Sequence, residues 1–396
     1  MSNFTEANTV EDAIRDVLTG RATLPGLREQ PATYGGQWEF IPATALPRTE
    51  RDVMVEPQLR AALLRLNPEI AAAPDRADEV IHRLRGILHN AASTGLVRAN
   101  EEFARWLRGE QSMPFGPNGQ HLPVRLLDFR TLSHNQYIIT QQYTYHPVPG
   151  VERRMDLVLL INGLPLVIGE VKHPARPAIT WADGARDFQD DYWPTIPALF
   201  VPNVLCFATE GHEYRYAAVN AEFRGWAPWG DTEERSPAPP SLEEVLKAVQ
   251  RMLSPALLLD LLGAFTLYSA DGSGRKIKVL ARYPQYEAAR QVVARVKEGR
   301  SKRGLIWHFQ GSGKSLLMLF AAQLLKAEEA LRNPTVLIVV DRSDLRSQMG
   351  ATFDAADVPN TFRAQTRQEL KQILQQDSRR IILTTVHLFG EVDEVL

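Results

Sequence analysis

Residues 153–172, RRMDLVLLINGLPLVIGEVK, constrain the fold more than any other stretch. They read as two apolar strands, DLVLLI and PLVIGEV, joined at Asn162-Gly163, a dipeptide whose tolerance of left-handed backbone suits a hairpin turn. After Arg153 and Arg154 the ionisable residues are Asp156, Glu170 and Lys172. A strict two-residue loop pairs Ile161 with Leu164 and puts Asp156 opposite Gly169, sending Glu170 to the other face. A three-residue loop, with Gly163 left-handed and a bulge, pairs Ile161 with Pro165 and sets Asp156 across from Glu170. The second register is the expected one. Glu170 and Lys172 then share a face with Asp156, because side chains alternate along a strand. Carboxylates opposite each other on neighbouring strands have Cβ atoms about 5 Å apart and repel. Lys172 supplies one compensating charge, and a hard divalent ion such as Mg2+, which takes oxygen ligands, supplies the rest. This chemistry suits phosphodiester hydrolysis, with Asp156, Glu170 and the Val171 carbonyl holding the metal and Lys172 orienting or deprotonating a water. The plainer alternative, charges at a fraying hairpin edge, sits poorly with strands otherwise apolar enough to be buried.

The chain has 396 residues, room for two domains each with its own core. A hydrophobic content of 44% with 23% charged residues is that of soluble globular chains. No run of 18 apolar residues occurs and the start carries no signal-peptide pattern, so a cytoplasmic protein without a membrane partner is expected. A single cysteine, Cys206, excludes an intrachain disulfide and a multi-cysteine zinc site. With a net charge of -2, contact with DNA must use local patches: Arg153-Arg154, residues 172–176, or KEGRSKR at 297–303.

Taken in order, residues 1–235 form a first domain. Helices are predicted at 10–20, with Thr9 as N-cap and Gly20 as stop, and at 56–66, 76–92 and 100–109. PVRLLDF (123–129) and NQYIITQQYTY (135–145) read as strands. Glu11 is a candidate additional acid reaching the metal from the first helix. Past the hairpin, a helix at about 181–192 carries Gln189 and Tyr192 near its end, where they can face the site, and the strand NVLCFATEG follows. From 226 to 243 periodicity is lost among prolines, and residues 236–270 are expected to be a linker with packing helices, Ser241 and Glu244 making a capping box.

The second domain, 271–396, centres on GLIWHFQGSGKSLLMLF: a short apolar strand, a Gly-rich turn and a helix. Backbone N–H groups of a turn at a helix N-terminus can cradle phosphates, with Lys314 as counter-charge and Ser315 as a Mg2+ ligand. Gln310, Gly311, Ser312 and Gly313 complete the loop, and His308 stands where the usual pattern has its first glycine. TVLIVV, suited to a strand covered on both faces, runs into Asp341-Arg342, and RIILTTVHLF carries Thr384-Thr385. Alternating strands and helices predict a parallel doubly wound sheet. No Asp-Glu box follows before the last residue, so a truncated lobe is expected.

RRMDLVLLINGLPLVIGEVK, IPALFVPN, LARYPQYEAA, WHFQGSGKS, DRSDLRSQ and TTVHLF together resemble the N-terminal part of the DNA-translocating restriction (R) subunit of type I restriction-modification enzymes. The resemblance covers nearly the whole chain. It implies an α/β protein with a PD-(D/E)xK nuclease domain followed by a partial RecA-like, superfamily 2 helicase lobe. It also implies a type I site-specific deoxyribonuclease of the bacterial or archaeal cytoplasm, partnered by methylation and specificity subunits and acting on double-stranded DNA with ATP and Mg2+. Asp156, Glu170 and Lys172 are then the nuclease residues, with Gln189 and Tyr192 as the accompanying glutamine-tyrosine element. Arg282, Tyr283 and Gln285 belong near the adenine, Lys314 and Ser315 hold ATP-Mg2+, and Asp341, Arg342, Thr384 and Thr385 belong to the next motor motifs. The family's glutamine-tyrosine element has three intervening residues and this chain has two. Without the water-activating box, the chain is expected to bind ATP weakly and not to hydrolyse it usefully. The alternative from another class is an ATP-binding DNA motor or remodelling module whose nuclease-like domain only holds DNA. A nucleotide kinase would leave the Asp156 hairpin unexplained.

Overall fold

The predicted hairpin lies in the middle of a sheet. In the computed structural model, six strands stand side by side in chain order: β1 (Glu39–Phe40), β2 (Tyr137–Val148), β3 (Val151–Ile161), β4 (Leu164–Val171), β5 (Leu205–Thr209) and β6 (Tyr214–Ala217). The β1–β2 and β4–β5 pairs are parallel and the others antiparallel. The structure describes residues 9–24, 37–173, 178–230, 241–341, 343–356, 358 and 360–389. Arg176 of the basic patch at 172–176, the linker core 231–240, Arg342 and the terminal 390–396 lie outside them.

Two compact units divide the chain, Met1–Gly263 and Ala264–Leu396. In the first, α1 (Thr9–Leu18) ends where Gly20 turns left-handed, as its sequence predicts. Helices α2 (Glu56–Leu66), α3 (Arg76–Thr94) and α4 (Leu96–Leu107) pack in succession. Parallel pairing of β4 with β5 requires a crossover, and α5 (Trp181–Arg186) begins it, lying against both strands. Next, α6 (Leu242–Met252) packs on α1 and β6, and α7 (Pro255–Ala264) follows. The stretch expected as linker and packing helices at 236–270 is thus drawn into the first unit as far as Gly263. The cause is the apolar face Val245, Leu246, Val249 and Met252, buried in that unit. The capping box of Ser241 with Glu244 is present.

PVRLLDF is not the strand its composition suggests. Only Leu122–Pro123 pairs, with Ser112–Met113, although Val124, Leu126 and Leu127 are buried. Side chains replace a neighbouring strand as hydrogen-bond partners: Asn67 takes both backbone groups of Arg125 (2.8 and 2.9 Å), and Asn162 donates to the Leu126 carbonyl (2.9 Å).

In the second unit β7 (Thr266–Ala270) and β8 (Lys276–Leu280) form an antiparallel pair, followed by α8 (Tyr283–Glu298) and α9 (Lys314–Ala327). Then β9 (Val336–Val340), α10 (Ser343–Ala355), β10 (Thr361–Arg363), α11 (Arg367–Gln375) and β11 (Ile381–Thr385) build a parallel three-stranded sheet in the order β9-β11-β10. The parallel pairing is as expected, and the strand order is non-sequential. Two expectations fail. Residues 304–309 form no strand and pair with none of the described ones, and Leu305 and Trp307 are each 86% exposed. TVLIVV is an edge strand covered on one face, burying Ile338 while Leu337 (39%) and Val339 (44%) stay exposed.

Candidate active site and nucleotide loop

Asn162 and Gly163 both have positive φ, 53° and 78°, and Ile161 pairs directly with Leu164. The loop is therefore the strict two-residue turn, not the three-residue one expected. The bulge exists but sits further along the hairpin, where the ladder slips between Leu159–Val167 and Leu160–Pro165, leaving Leu166 extra. That slip restores the expected alignment, for Leu157 pairs with Gly169, and one step onward Asp156 faces Glu170. On the other side of β3, Gln141 pairs with Leu157 and Tyr143 with Met155, so Gln142 flanks Asp156.

Asp156 is half-buried and its Oδ2 accepts the Val171 N–H at 2.8 Å. Glu170 is 5% exposed; its Oε1 accepts from Lys172 Nζ at 2.8 Å and its Oε2 from the Tyr192 hydroxyl at 3.2 Å. Lys172 Nζ also donates to Asp187. From α1, Glu11 (6% exposed) faces the same cluster, joined through Gln142, whose Nε2 donates to Glu11 Oε2 at 3.0 Å and Asp156 Oδ1 at 3.5 Å. Gln142 holds a left-handed φ of 57° to do so.

Burial, reinforced by the charge of Asp156, pushes the carboxyl of Glu11 up to about 7 and that of Glu170 up to about 8. Burial raises Asp156 as well, against the lowering effect of the Val171 N–H and Lys172. Lys172 is raised although burial opposes its charge, because Glu170 and Asp187 outweigh it. Four carboxyl groups, Glu11, Asp156, Glu170 and Asp187, thus gather around one lysine. Oxygen donors in such surplus fit a hard divalent cation in chemistry. Among the described residues, no three Asp, Glu, His or Cys side chains are already arranged around one ion position.

Of the residues predicted for this site, Asp156, Glu170, Lys172 and Tyr192 come together, and Val171 adjoins them through its N–H. Gln189 does not: its amide donates to the Ala221 carbonyl at 2.8 Å. Asp187 was missed, because it stands five residues before Tyr192, and an α-helix points such residues about 140° apart. Here Asp187–Tyr192 is a π-helix. Of the basic patches, Arg153 is engaged bidentately by Asp191 (2.6 and 2.7 Å) and Lys297 by Glu328 (3.0 Å), whereas Arg154 is exposed.

In the second unit Gly311 and Gly313 have φ of 85° and 82°, and Gly313 caps α9. Lys314 Nζ folds back onto the His308 and Phe309 carbonyls at 3.0 and 2.8 Å. Gln310 is exposed and Ser315 half-buried at the helix start, while the buried Ser312 Oγ has no protein partner. Gln285, 2% exposed, caps the start of α8 through the Arg282 N–H (2.9 Å) and donates to the Ser312 and Gly313 carbonyls at 3.0 and 3.3 Å. It therefore touches the loop itself. Asp341 is exposed just past the end of β9, and Thr384 and Thr385 are buried at the end of β11. No helix among the described residues is long and apolar enough to cross a membrane.

Residues 3–224 match the family described as type I restriction enzyme R protein N terminus, and residues 284–395 match the SWI2/SNF2 ATPase family. The type I restriction enzyme HindI endonuclease subunit of Haemophilus influenzae is 31% identical over 358 residues, 86% of this chain and 33% of that protein. The putative MjaIXP endonuclease subunit of Methanocaldococcus jannaschii is 23% identical over 95% of this chain and 37% of its own length. The chain thus spans about a third of the curated relatives it matches.

Proposed function

This chain belongs to the type I restriction enzyme R protein family, of which it carries the N-terminal region, and from that premise we propose that its first unit is a metal-dependent DNA endonuclease domain of the PD-(D/E)xK kind. Its second unit is the beginning of an ATP-driven DNA translocase, and the whole subunit works with methylation and specificity subunits in a cytoplasmic restriction complex. The observation that carries the reading is the convergence of Asp156, Glu170 and Lys172 on one face of adjacent strands.

Asp156, Glu170 and the Val171 carbonyl are the residues that would hold Mg2+, which when bound polarises a phosphate and acidifies a water. Lys172, kept protonated by Glu170 and Asp187, acts as a fixed cation that orients the water or phosphate rather than as a base. The Glu170 carboxyl is held from two sides, by Lys172 and Tyr192, so its orientation is set before substrate arrives. In the second unit Gln310, Gly311, Ser312 and Gly313 would wrap the phosphates of ATP, Lys314 would leave the loop carbonyls for them, Ser315 would meet the accompanying Mg2+, and Gln285 would hold the loop's shape.

Plasmid nicking in Mg2+ or Mn2+ tests the nuclease, with Asp156→Ala and Lys172→Ala as controls, in the presence of partner subunits and ATP. Nicking lost in both variants supports it. The second reading is an ATP-binding motor or remodelling module whose nuclease-like unit only holds DNA. It draws on the Glu170 carboxylate, both of whose oxygens are already engaged, and cleavage absent under all these conditions would favour it.

A further inference from the structure

The crossover helix between β4 and β5 changes pitch where it passes the acid-lysine cluster. Trp181–Arg186 is α-helical, Asp187–Tyr192 is π-helical, and Trp193–Thr195 is α-helical again. A π-turn spends one extra residue and brings positions five apart onto one side, and such turns recur at functional sites. In this one, Asp187 contacts Lys172 Nζ and the Tyr192 hydroxyl donates to Glu170 Oε2 at 3.2 Å, while Lys172 itself donates to Glu170 Oε1 at 2.8 Å. One helical turn therefore grips both members of the Glu170–Lys172 pair. Packing makes the grip firm: Phe188, fully buried within the turn, stacks edge or tilted against Tyr192, Trp193, Phe200 and Trp226 with centroids 5.5–5.9 Å apart.

We propose that Asp187 is a positioning residue for Lys172, holding its ammonium between two carboxylates so that its charge is not spent wholly on Glu170. The inference rests on the nuclease reading above. With Asp187 present, the ammonium is shared with a second, more exposed carboxylate, and Glu170 is less fully paired by the lysine. Without it, Glu170 is the carboxylate left to Lys172, the two close into a simple ion pair, and the cation must compete with the lysine. Loss of Asp187 should therefore raise the metal requirement before it touches folding or DNA binding.

The test is Mg2+ titration of plasmid nicking by the full restriction complex with ATP, comparing wild type, Asp187→Asn, Asp187→Glu and Asp190→Asn. Asp190 is exposed on the same turn, so its variant makes the same charge change away from Lys172. Expected for Asp187→Asn is about a tenfold rise in the Mg2+ concentration giving half-maximal rate, the scale typical of losing a group that supports a metal site. The melting temperature should be unchanged, Asp187→Glu should recover most of the metal sensitivity, and Asp190→Asn should match wild type. The proposal is overturned if Asp187→Asn titrates like Asp190→Asn, if Asp187→Glu fares no better than Asp187→Asn, or if the loss tracks a fall in melting temperature. Wild-type complex that shows no Asp156-dependent nicking would instead bring down the nuclease reading, and this proposal with it.

Discussion

Glu170→Gln should make the first unit more stable while removing its cleavage activity. The carboxyl of Glu170 is pushed from its ordinary 4.5 up to about 8, chiefly by burial and then by Asp156. A raised acid holds its proton in the folded state at pH values where the unfolded chain has released it. Stability from this group is therefore complete below pH 4.5 and is lost as pH rises toward 8. Each pH unit between the two values carries roughly 1.4 kcal/mol, so the ceiling is about 3 kcal/mol at pH 7 and about 5 kcal/mol at pH 8. The repulsion with Asp156 is shared by both groups and Lys172 loses a partner in the variant, which leaves a net gain of order 2 kcal/mol at pH 8. Glutamine keeps the shape, can accept from Lys172 and donate to the Tyr192 hydroxyl oxygen, and never has to be protonated. Urea denaturation in EDTA at pH 5, 6, 7 and 8 measures the difference. Six of the seven tryptophans, Trp38, Trp106, Trp181, Trp193, Trp226 and Trp229, lie in the first unit, so their fluorescence reports chiefly on it. The advantage of the variant should be near zero at pH 5 and widen with each step. A difference that does not change with pH, or a variant less stable at pH 8, would refute the placement of Glu170 as a buried, poorly compensated acid.

Mg2+ should raise the melting temperature of the first unit more at pH 8 than at pH 5.5, because Glu11 and Glu170 must lose protons to face a cation; an equal shift at both values, or one that survives Asp156→Ala, would contradict the site. Gly163→Ala should cost about 2–4 kcal/mol in chemical denaturation, since φ is 78° and an added Cβ would lie 2.4 Å from the Val55 carbonyl oxygen. Lys314→Ala should weaken binding of a fluorescent ATP analogue at least about tenfold with the melting temperature unchanged, because the lysine is exposed and contacts only loop carbonyls. Unaltered nucleotide affinity would reassign the loop.

Strand arithmetic set Asp156 across from Glu170 but through the wrong loop, a three-residue turn in place of a two-residue turn with a bulge further along. Asn162-Gly163 announces a turn, since few other dipeptides accept two left-handed residues. The bulge at Leu166 has no such signature, as its residue is apolar like its neighbours, and the register follows from packing on both sides of β3 and β4. Gln189 and Asp187 exchanged importance for a related reason. Polar residues three or four apart on a helix look like partners, and nothing in DFQDDY signals a π-turn until Phe188 is seen locked among four aromatic rings. Residues 304–309 and PVRLLDF show the opposite failure. Their largely apolar composition suits a strand, but a strand exists only where a neighbour supplies hydrogen bonds. In one case the stretch pairs with no described strand, and in the other asparagine side chains supply the hydrogen bonds instead.

By itself the sequence determined the local chemistry: a left-handed hairpin turn, an acid-x-lysine strand facing an acidic one, and a glycine-bracketed loop ahead of a lysine and a helix. These depend on neighbours within a few residues, whose sterics and hydrogen bonds are set by residue type. Only the tertiary structure decided that Glu11 and Gln142 border the acids, that Asp187 and not Gln189 reaches Lys172, and that Gln285 touches the phosphate-type loop. Such contacts join residues 15 to about 130 positions apart. Their existence depends on burial and strand register, which are properties of the packed whole.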